Sequence, residues 1–141
     1  MPQIIYLTPA EIKRLETLEK RYRSAARNLI EQRCAYYCHI TGGVYTSVTI
    51  RDQKTRWGSC SSRGTLSFNY RLIFAPPQVL DYVVVHELCH LTHMNHSKEF
   101  WNMVGSVMPD YKTHRKWLKE HGGELTLENY LTSKGIPIKL A

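Results

Sequence analysis

The chain of 141 residues is long enough for one compact domain, since folding at this size buries roughly 68–70% of the surface of the unfolded chain. Apolar residues make up 43% of it and charged residues 22%, which is ordinary for globular proteins and argues against disorder. The formal charge of +7 indicates affinity for polyanions, and it makes a weak, salt-sensitive contact with nucleic acid through the basic surface a hypothesis.

The N-terminus and the cysteines predict a reduced, cytoplasmic protein. The first twenty residues lack the basic start and apolar run of a secretory signal, and no apolar stretch reaches the roughly 20 residues that span a bilayer. The four cysteines form no paired CxxC set, which argues against both a disulfide framework and a zinc ribbon. They are Cys34, Cys38, Cys60 and Cys89.

The first predicted element is a long amphipathic helix. Thr8 is suited to its N-cap, Pro9 to its first position, and Glu11 to the reciprocal hydrogen bond of a capping box. Gly42 and Gly43 are expected to end it, because glycine adopts the left-handed conformation without steric cost. Between these ends, one apolar stripe recurs at steps of three and four. The stripe consists of Leu15, Leu18, Tyr22, Ala25 and Leu29.

Two short runs rich in β-branched residues follow, at 45–50 and 65–68, and they predict strands of a small sheet. The intervening residues 56–64 contain two glycines, and we interpret them as turns or a bulge. Pro76 and Pro77 stop the preceding segment and open an apolar helix.

The C-terminal third of the chain predicts two more helices. The first covers Lys98 to Met108, and the second starts at Pro109 and runs to Gly122. The last eighteen residues show little periodicity, so we expect a tail or an edge strand there.

An HExxH pattern, His86-Glu87-Leu88-Cys89-His90, lies inside the apolar helix. Histidines four residues apart share one helical face, so both imidazoles can bind one metal ion. Glu87 lies about 100° around the helix from His86, where a carboxylate can take a proton from metal-bound water. The competing interpretation is a pair of hydrogen-bonded core histidines.

A catalytic zinc site needs a third protein ligand. On a continuous helix His93 would lie about 10 Å along the axis from His86, too far for one ion to bind both. If the helix ends near residues 94–95, the chain can turn back and deliver His96, which leaves His93 as a hydrogen-bonding support or a wall of the cleft. Later glutamates are the competing ligands. They are Glu99, Glu120 and Glu124.

A series of short motifs runs from about residue 48 to about residue 117. It consists of Arg56-Trp57-Gly58-Ser59-Cys60, Gly64, Asn69, Ala75-Pro76, the HExxH segment with Leu91, Asn95-His96-Ser97 and Phe100-Trp101. In this order the motifs resemble the YgjP-like metallopeptidase family and, more distantly, SprT-like and WLM-type zinc proteases. The resemblance implies a zincin fold in which His86, His90 and His96 bind one Zn²⁺ and Glu87 is the catalytic residue. Tyr70 stands where relatives often have tryptophan.

Further side chains are candidates for contacting the substrate or stabilising an oxyanion. Arg56 is suited to both tasks, although such an arginine is more often an ion-pair partner. Tyr111 and His114 lie where a later helix can return to the site, and zinc hydrolases commonly use these residue types as oxyanion stabilisers. His93 is the fourth candidate. The basic cluster at 112–119 is interpreted as a solvated face.

The combined prediction is an α+β, zincin-like fold in one domain spanning residues 1–141. It comprises a long N-terminal helix, a small twisted sheet over the HExxH helix, and short C-terminal helices. The predicted function is zinc-dependent peptide hydrolysis, with the substrate held by strand addition to the exposed sheet edge.

Two other functions compete with this prediction. A metal-dependent nucleotide phosphohydrolase would use Mg²⁺ or Mn²⁺ with carboxylate ligands, whereas this chain offers imidazoles. A nucleic-acid-binding module with a structural zinc would usually have four ligands, with cysteine prominent among them.

Overall fold

The computed structural model describes residues 7–53 and 55–135. Its helices are α1 (Pro9–Thr41), α2 (Pro77–His90), α3 (Lys98–Val107), α4 (Tyr111–His121) and α5 (Leu127–Ser133), with 3-10 turns at Tyr70–Phe74 and Gly122–Glu124. Its strands are β1 (Ser47–Arg51), β2 (Gly58–Cys60) and β3 (Thr65–Asn69). The predicted α+β class is confirmed. No described helix combines the length and the apolar character needed to cross a membrane.

The ends of α1 follow the sequence signals. The Thr8 hydroxyl accepts a hydrogen bond from the Glu11 N–H at 3.2 Å, and the Glu11 carboxylate accepts one from the Thr8 N–H at 3.4 Å. Gly42 ends the helix with a φ of +73°. The apolar stripe differs from the prediction in its middle: Ala25 is exposed and Ala26 is fully buried, because the packed face advances in steps of four from Tyr22. The fully buried side chains of α1 are Ala26, Ile30 and Cys34.

A bidentate ion pair joins α1 to α2. The Arg33 guanidinium donates to both Asp81 oxygens, at 2.8 and 2.9 Å, and the Tyr37 hydroxyl donates to Asp81 at 3.2 Å. Bidentate arginine–carboxylate pairs have a defined geometry, so this contact sets the rotation of α2 about its own axis relative to α1. His86 and His90 follow Asp81 by five and nine residues, about 140° and 180° around the helix, so they lie on the side of α2 opposite to this ion pair.

The sheet contains three strands in the order β1-β3-β2. β1 runs parallel to β3, and β2 runs antiparallel to it, with Ser59 opposite Ser67. Leu66 and Phe68 of β3 are buried, so one face of the sheet covers the core. The interpretation of residues 56–64 as turns is therefore incomplete, because three of them form β2 against β3. A run of only three residues shows no alternation that sequence reasoning could detect.

Helix α2 is the centre of the molecule. Ten of its fourteen residues are buried, since the sheet, α1, α3 and α4 all pack against it. It ends at His90, earlier than residues 94–95, and no described residue other than glycine has a positive φ. The turn after α2 therefore contains no residue in the left-handed conformation. It closes instead through hydrogen bonds from the Thr92 and His93 N–H groups to the Cys89 carbonyl.

The C-terminal segment corrects one further prediction. Helix α5 occupies part of the last eighteen residues, so a tail or edge strand is wrong for 124–135, and residues 136–141 lie outside the described part of the chain. The Thr126 hydroxyl caps α5 by accepting from the Asn129 N–H, and Leu127 and Leu131 are buried one turn apart. Helix α4 begins at Tyr111, two residues after Pro109.

Candidate metal centre

Three imidazole rings converge where α2 ends and the following loop turns back. The Nε2 atoms lie 3.2 Å apart for His86 and His90, 3.1 Å for His90 and His96, and 3.3 Å for His96 and His86. His86 and His90 come from successive turns of α2, and His96 comes from the loop before α3. These nitrogens form a nearly equilateral triangle.

The triangle has the dimensions of a zinc site. Two nitrogens bound to one zinc at about 2.0–2.1 Å in tetrahedral geometry are roughly 3.3 Å apart. Three ring nitrogens with lone pairs turned toward one point repel one another unless a cation or proton lies between them. Burial lowers the pKa of His86 to about 3, assisted by the neighbouring His90 and His96, and burial also lowers the pKa of His90. These two imidazoles are therefore neutral at pH 7, as metal ligands must be.

Hydrogen bonds to the outer nitrogens orient two of the rings. His90 Nδ1 donates to the His93 carbonyl oxygen at 2.9 Å, so the proton of a neutral His90 lies on Nδ1 and the lone pair on Nε2. His86 Nδ1 lies 3.3 Å from the Tyr82 hydroxyl, one turn earlier on α2. Such partners of the outer nitrogen hold a metal-binding imidazole in its orientation. Both contacts thus favour Nε2 as the binding atom.

Aromatic rings of α3 hold the loop that carries His96. The fully buried Phe100 stacks on His90, with ring centres 4.3 Å apart, and Trp101 stacks on His96 at 5.9 Å. The Ser97 hydroxyl accepts from the Phe100 N–H and begins α3 immediately after His96. The turn, the cap and the aromatic pair together bring His96 back to α2.

Glu87 lies beside the triangle and is buried, with 5% of its surface exposed. Burial raises the pKa of its carboxyl to about 8, an effect that the charge of Arg56 partly offsets. Gly58 of β2 lies against it: a Cβ added there would be 2.9 Å from Glu87 Oε2. The glycine therefore allows the strand to approach the carboxylate closely.

A cavity of about 310 Å³ opens next to Glu87 and His86. Its walls come from the β2 segment, from α2 and from α4. The lining includes Trp57, Tyr82, Arg115, Leu118 and Lys119. A carboxylate at the edge of an open cavity can reach a bound substrate, so the arrangement is suited to acid–base chemistry.

The YgjP-like metallopeptidase domain model matches residues 6–121 of the chain. The chain belongs to the YgjP-like metallopeptidase family. The match begins before α1 and ends at the last residue of α4, so it includes the three histidines and all of the cavity walls. The predicted family is confirmed, and the protein is a metallopeptidase by family.

Two solved structures share the fold, and both are metallopeptidase zymogens. Abylysin of Pyrococcus abyssi is 24% identical, with a TM-score of 0.58 over 64% of this chain and 93% of its own. Jannalysin of Methanocaldococcus jannaschii is 18% identical, with a TM-score of 0.56 over 64% of this chain and 94% of its own. No curated protein matches the sequence. At these identities the likeness shows the fold alone, and it supports the predicted α+β arrangement of a long N-terminal helix with a small sheet.

The other candidate side chains of this metallopeptidase differ in the groups that they contact. Arg56 is exposed and acts on the Glu87 carboxyl through its charge. The backbone carbonyl of His93 accepts a hydrogen bond from His90 Nδ1. Tyr111 stacks on Trp101 with ring centres 5.3 Å apart. His114 contacts Asp110, the residue that precedes α4, at 3.0 Å.

Sequence reasoning missed four groups that the fold brings to this metallopeptidase site. Tyr82 precedes His86 by one helical turn, so the i, i+4 rule that paired the histidines could have identified it. Arg115 and Lys119 are also one turn apart, but they were interpreted as part of a solvated cluster. Gly58 gave no signal, because its role depends on which side chain lies opposite.

Proposed function

We propose that this protein is a zinc-dependent peptidase in which His86, His90 and His96 hold one zinc ion and Glu87 is the general base. The observation that carries the proposal is the triangle of Nε2 atoms, 3.1–3.3 Å on each side, beside a buried carboxylate that lines a cavity. Within the described residues, the metal-binding cluster contains these three histidines and no fourth ligand. Three ligands with an open position are typical of catalytic zinc rather than structural zinc.

A zinc ion held there would lower the pKa of a water molecule and polarise the substrate carbonyl. The Glu87 carboxylate accepts the proton of the attacking water and passes it to the leaving amine. Its raised pKa suits this exchange, because a group that titrates near neutral pH both accepts and releases a proton readily. The positive charge of a bound metal would favour the ionised form and bring the pKa down from about 8 toward the working pH.

The edge of β2 is the proposed binding place for the peptide backbone. β2 pairs with β3 on one side, and no strand of residues 7–53 or 55–135 pairs with its other side. An extended peptide can add to such an edge through main-chain hydrogen bonds. Because Gly58 of this strand touches Glu87, a peptide on the edge would pass directly beside the base.

The imidazole ligands also weigh against the competing phosphohydrolase, which would need oxygen ligands for Mg²⁺ or Mn²⁺. A cytoplasmic location is part of the proposal. Its support is that all four cysteines are free, as expected in a reducing compartment.

Glu87→Gln tests the mechanism, since the amide keeps the shape of the side chain and cannot act as a base. We expect wild-type zinc content and a loss of peptide hydrolysis of at least about 100-fold. Metal is measured by mass spectrometry after purification without added zinc, and hydrolysis is measured on a mixture of unrelated peptides. The matched control is Glu99→Gln, on the exposed side of α3, which should hydrolyse at the wild-type rate. Near-wild-type turnover by Glu87→Gln would contradict the proposal.

A further inference from the structure

The cavity beside Glu87 has a cationic wall. Arg115 and Lys119 both line it, one helical turn apart on α4. The Arg115 guanidinium lies 4.5 Å from the centre of the Trp101 ring, which directs it back toward the histidines. Its charge is one of the causes that lower the pKa of His86 and oppose the rise in the pKa of Tyr82. The guanidinium therefore faces the site and not the bulk solvent alone.

Neither cation is neutralised within the described part of the chain. The ion pairs that α4 forms there join His114 to Asp110, Lys116 to Glu120, and His121 to Glu120 and Glu124. Arg115 and Lys119 take part in none of them. Two positive charges thus face a cavity in which Glu87 is the only acidic residue among the described wall residues. A cavity with such a surplus attracts an anionic group.

The position of Glu87 shows which substrate residue would occupy the cavity. In the proposed mechanism Glu87 passes a proton to the leaving amine, so the residue that carries this amine lies nearest to the carboxylate. Glu87 also lines the cavity. The side chain that enters it is therefore that of the residue following the scissile bond.

We propose that this cavity selects a carboxylate on the residue that follows the scissile bond, with Arg115 and Lys119 as its cationic partners. This inference rests on the proposed peptidase function and adds a substrate class to it. Trp57 and Leu118 supply the apolar wall against which the methylene groups of a glutamate side chain pack. The carboxylate belongs either to an acidic side chain or to the C-terminus of a short substrate, and both present the same group to the two cations.

The first experiment measures cleavage. A peptide mixture, analysed by mass spectrometry, identifies a bond that the zinc-loaded protein hydrolyses. Peptides are then made with Glu, Gln or Lys after this bond, each with an amidated C-terminus, and a fourth ends at a Gln in that position with a free carboxylate. Since partly exposed ion pairs are individually weak, we expect two of them to raise kcat/KM about tenfold for Glu over Gln. If the peptide with a free C-terminal carboxylate shows this gain in kcat/KM and the Glu peptide does not, the cavity binds the C-terminal carboxylate of the substrate.

Two variants and a control assign this preference to the cavity. Lys119→Glu should reduce the Glu-to-Gln ratio to about one and favour the Lys peptide, because the surplus charge is removed. Arg115→Gln should reduce the ratio as well, although it also removes the contact with Trp101. Lys112→Glu makes the same charge change on an exposed residue of α4 outside the cavity lining, so it should keep the wild-type ratio. A ratio near one in the wild type, or a ratio that Lys119→Glu leaves unchanged, would overturn the inference.

A binding measurement separates this inference from the proposed function. Zinc-loaded Glu87→Gln is titrated with fluorescently labelled peptides that carry a single Glu at successive positions. The same titration is then repeated with a double variant that carries both Glu87→Gln and Lys119→Glu. Tighter binding of one Glu position, lost with Lys119→Glu, supports the carboxylate site even if no peptide is hydrolysed by the wild type. In that case the peptidase function would be contradicted instead. Binding that is indifferent to both the Glu position and Lys119→Glu would overturn the inference.

Discussion

Replacing Gly58 by alanine tests whether β2 positions Glu87, the proposed general base. The added Cβ would lie 2.9 Å from Glu87 Oε2, 3.0 Å from its Cγ and 3.2 Å from its Cδ, whereas ordinary contact begins at 3.4 Å. The strand or the carboxylate must therefore move by about 0.5 Å, the difference between 3.4 and 2.9 Å. Glu87 is buried on α2 against this strand, so its carboxylate would have to move toward the cavity that it lines.

The expected result is a functional loss larger than the loss of stability. A misplacement of about 1 Å costs roughly 100-fold in rate, so half of this distance should lower kcat/KM about tenfold. Overpacking of this kind costs about 1–3 kcal/mol of unfolding free energy, and the lower end applies because the carboxylate end of Glu87 can turn toward the cavity. Zinc content should not change, since the three atoms nearest to the added methyl group all belong to Glu87 and none to a histidine. The measurements are peptide hydrolysis, thermal unfolding and bound zinc.

Gly123→Ala is the matched control for this experiment. An added Cβ at Gly123 meets nothing within 4 Å, and its φ does not require glycine. The same substitution should leave hydrolysis unchanged and alter the free energy of unfolding by less than about 1 kcal/mol. Wild-type kcat/KM in Gly58→Ala would refute the positioning role of β2, and loss of zinc from this variant would show that the strand supports the ligands instead.

The remaining predictions concern the ligands and the surface charge. His96→Ala should lose most of its bound zinc. Glu99→Ala should retain it, because Glu99 is not a ligand in the proposed site. His93→Ala should also retain it, because the variant keeps the backbone carbonyl that orients His90. Equal metal content in His96→Ala and wild type would refute this ligand set. Tyr82→Phe removes the hydroxyl beside His86 Nδ1 and should weaken zinc binding about 10- to 100-fold in competition with a chelator; unchanged affinity would make the contact incidental. Weak binding to nucleic acid should fall steeply with added salt, and no binding at about 50 mM salt would remove that hypothesis.

The local features of the fold were predictable from sequence because short-range rules determine them. The capping box at Thr8 and the left-handed Gly42 depend on residues a few positions apart. The shared face of His86 and His90 follows from the helical repeat alone. The ordered motifs also identified the family, over a stretch that the matched residues 6–121 contain.

Where the predictions from sequence are wrong, the decisive contact is distant along the chain. β2 is too short to show alternation, and it exists because β3 pairs with it. Ala26 is buried in place of Ala25 because packing against α2 and the sheet determines which face of α1 is buried. Helix α5 was not predicted because its buried face consists of only two leucines, which is too short a pattern to show periodicity. The helix gains its stability from tertiary packing.

The sequence by itself determined the chemistry that this protein can perform: imidazoles four residues apart on a helix, a carboxylate beside them, and a further histidine six residues later. Only the tertiary structure decided what that chemistry can act on. It placed Gly58 against Glu87 and brought Arg115 and Lys119 to the wall of the cavity, although more than 25 residues separate each of them from Glu87. Ligand spacing follows from the repeat of one helix, whereas the walls of a cavity depend on how separate elements pack. This packing is set by the whole core and has no local signature.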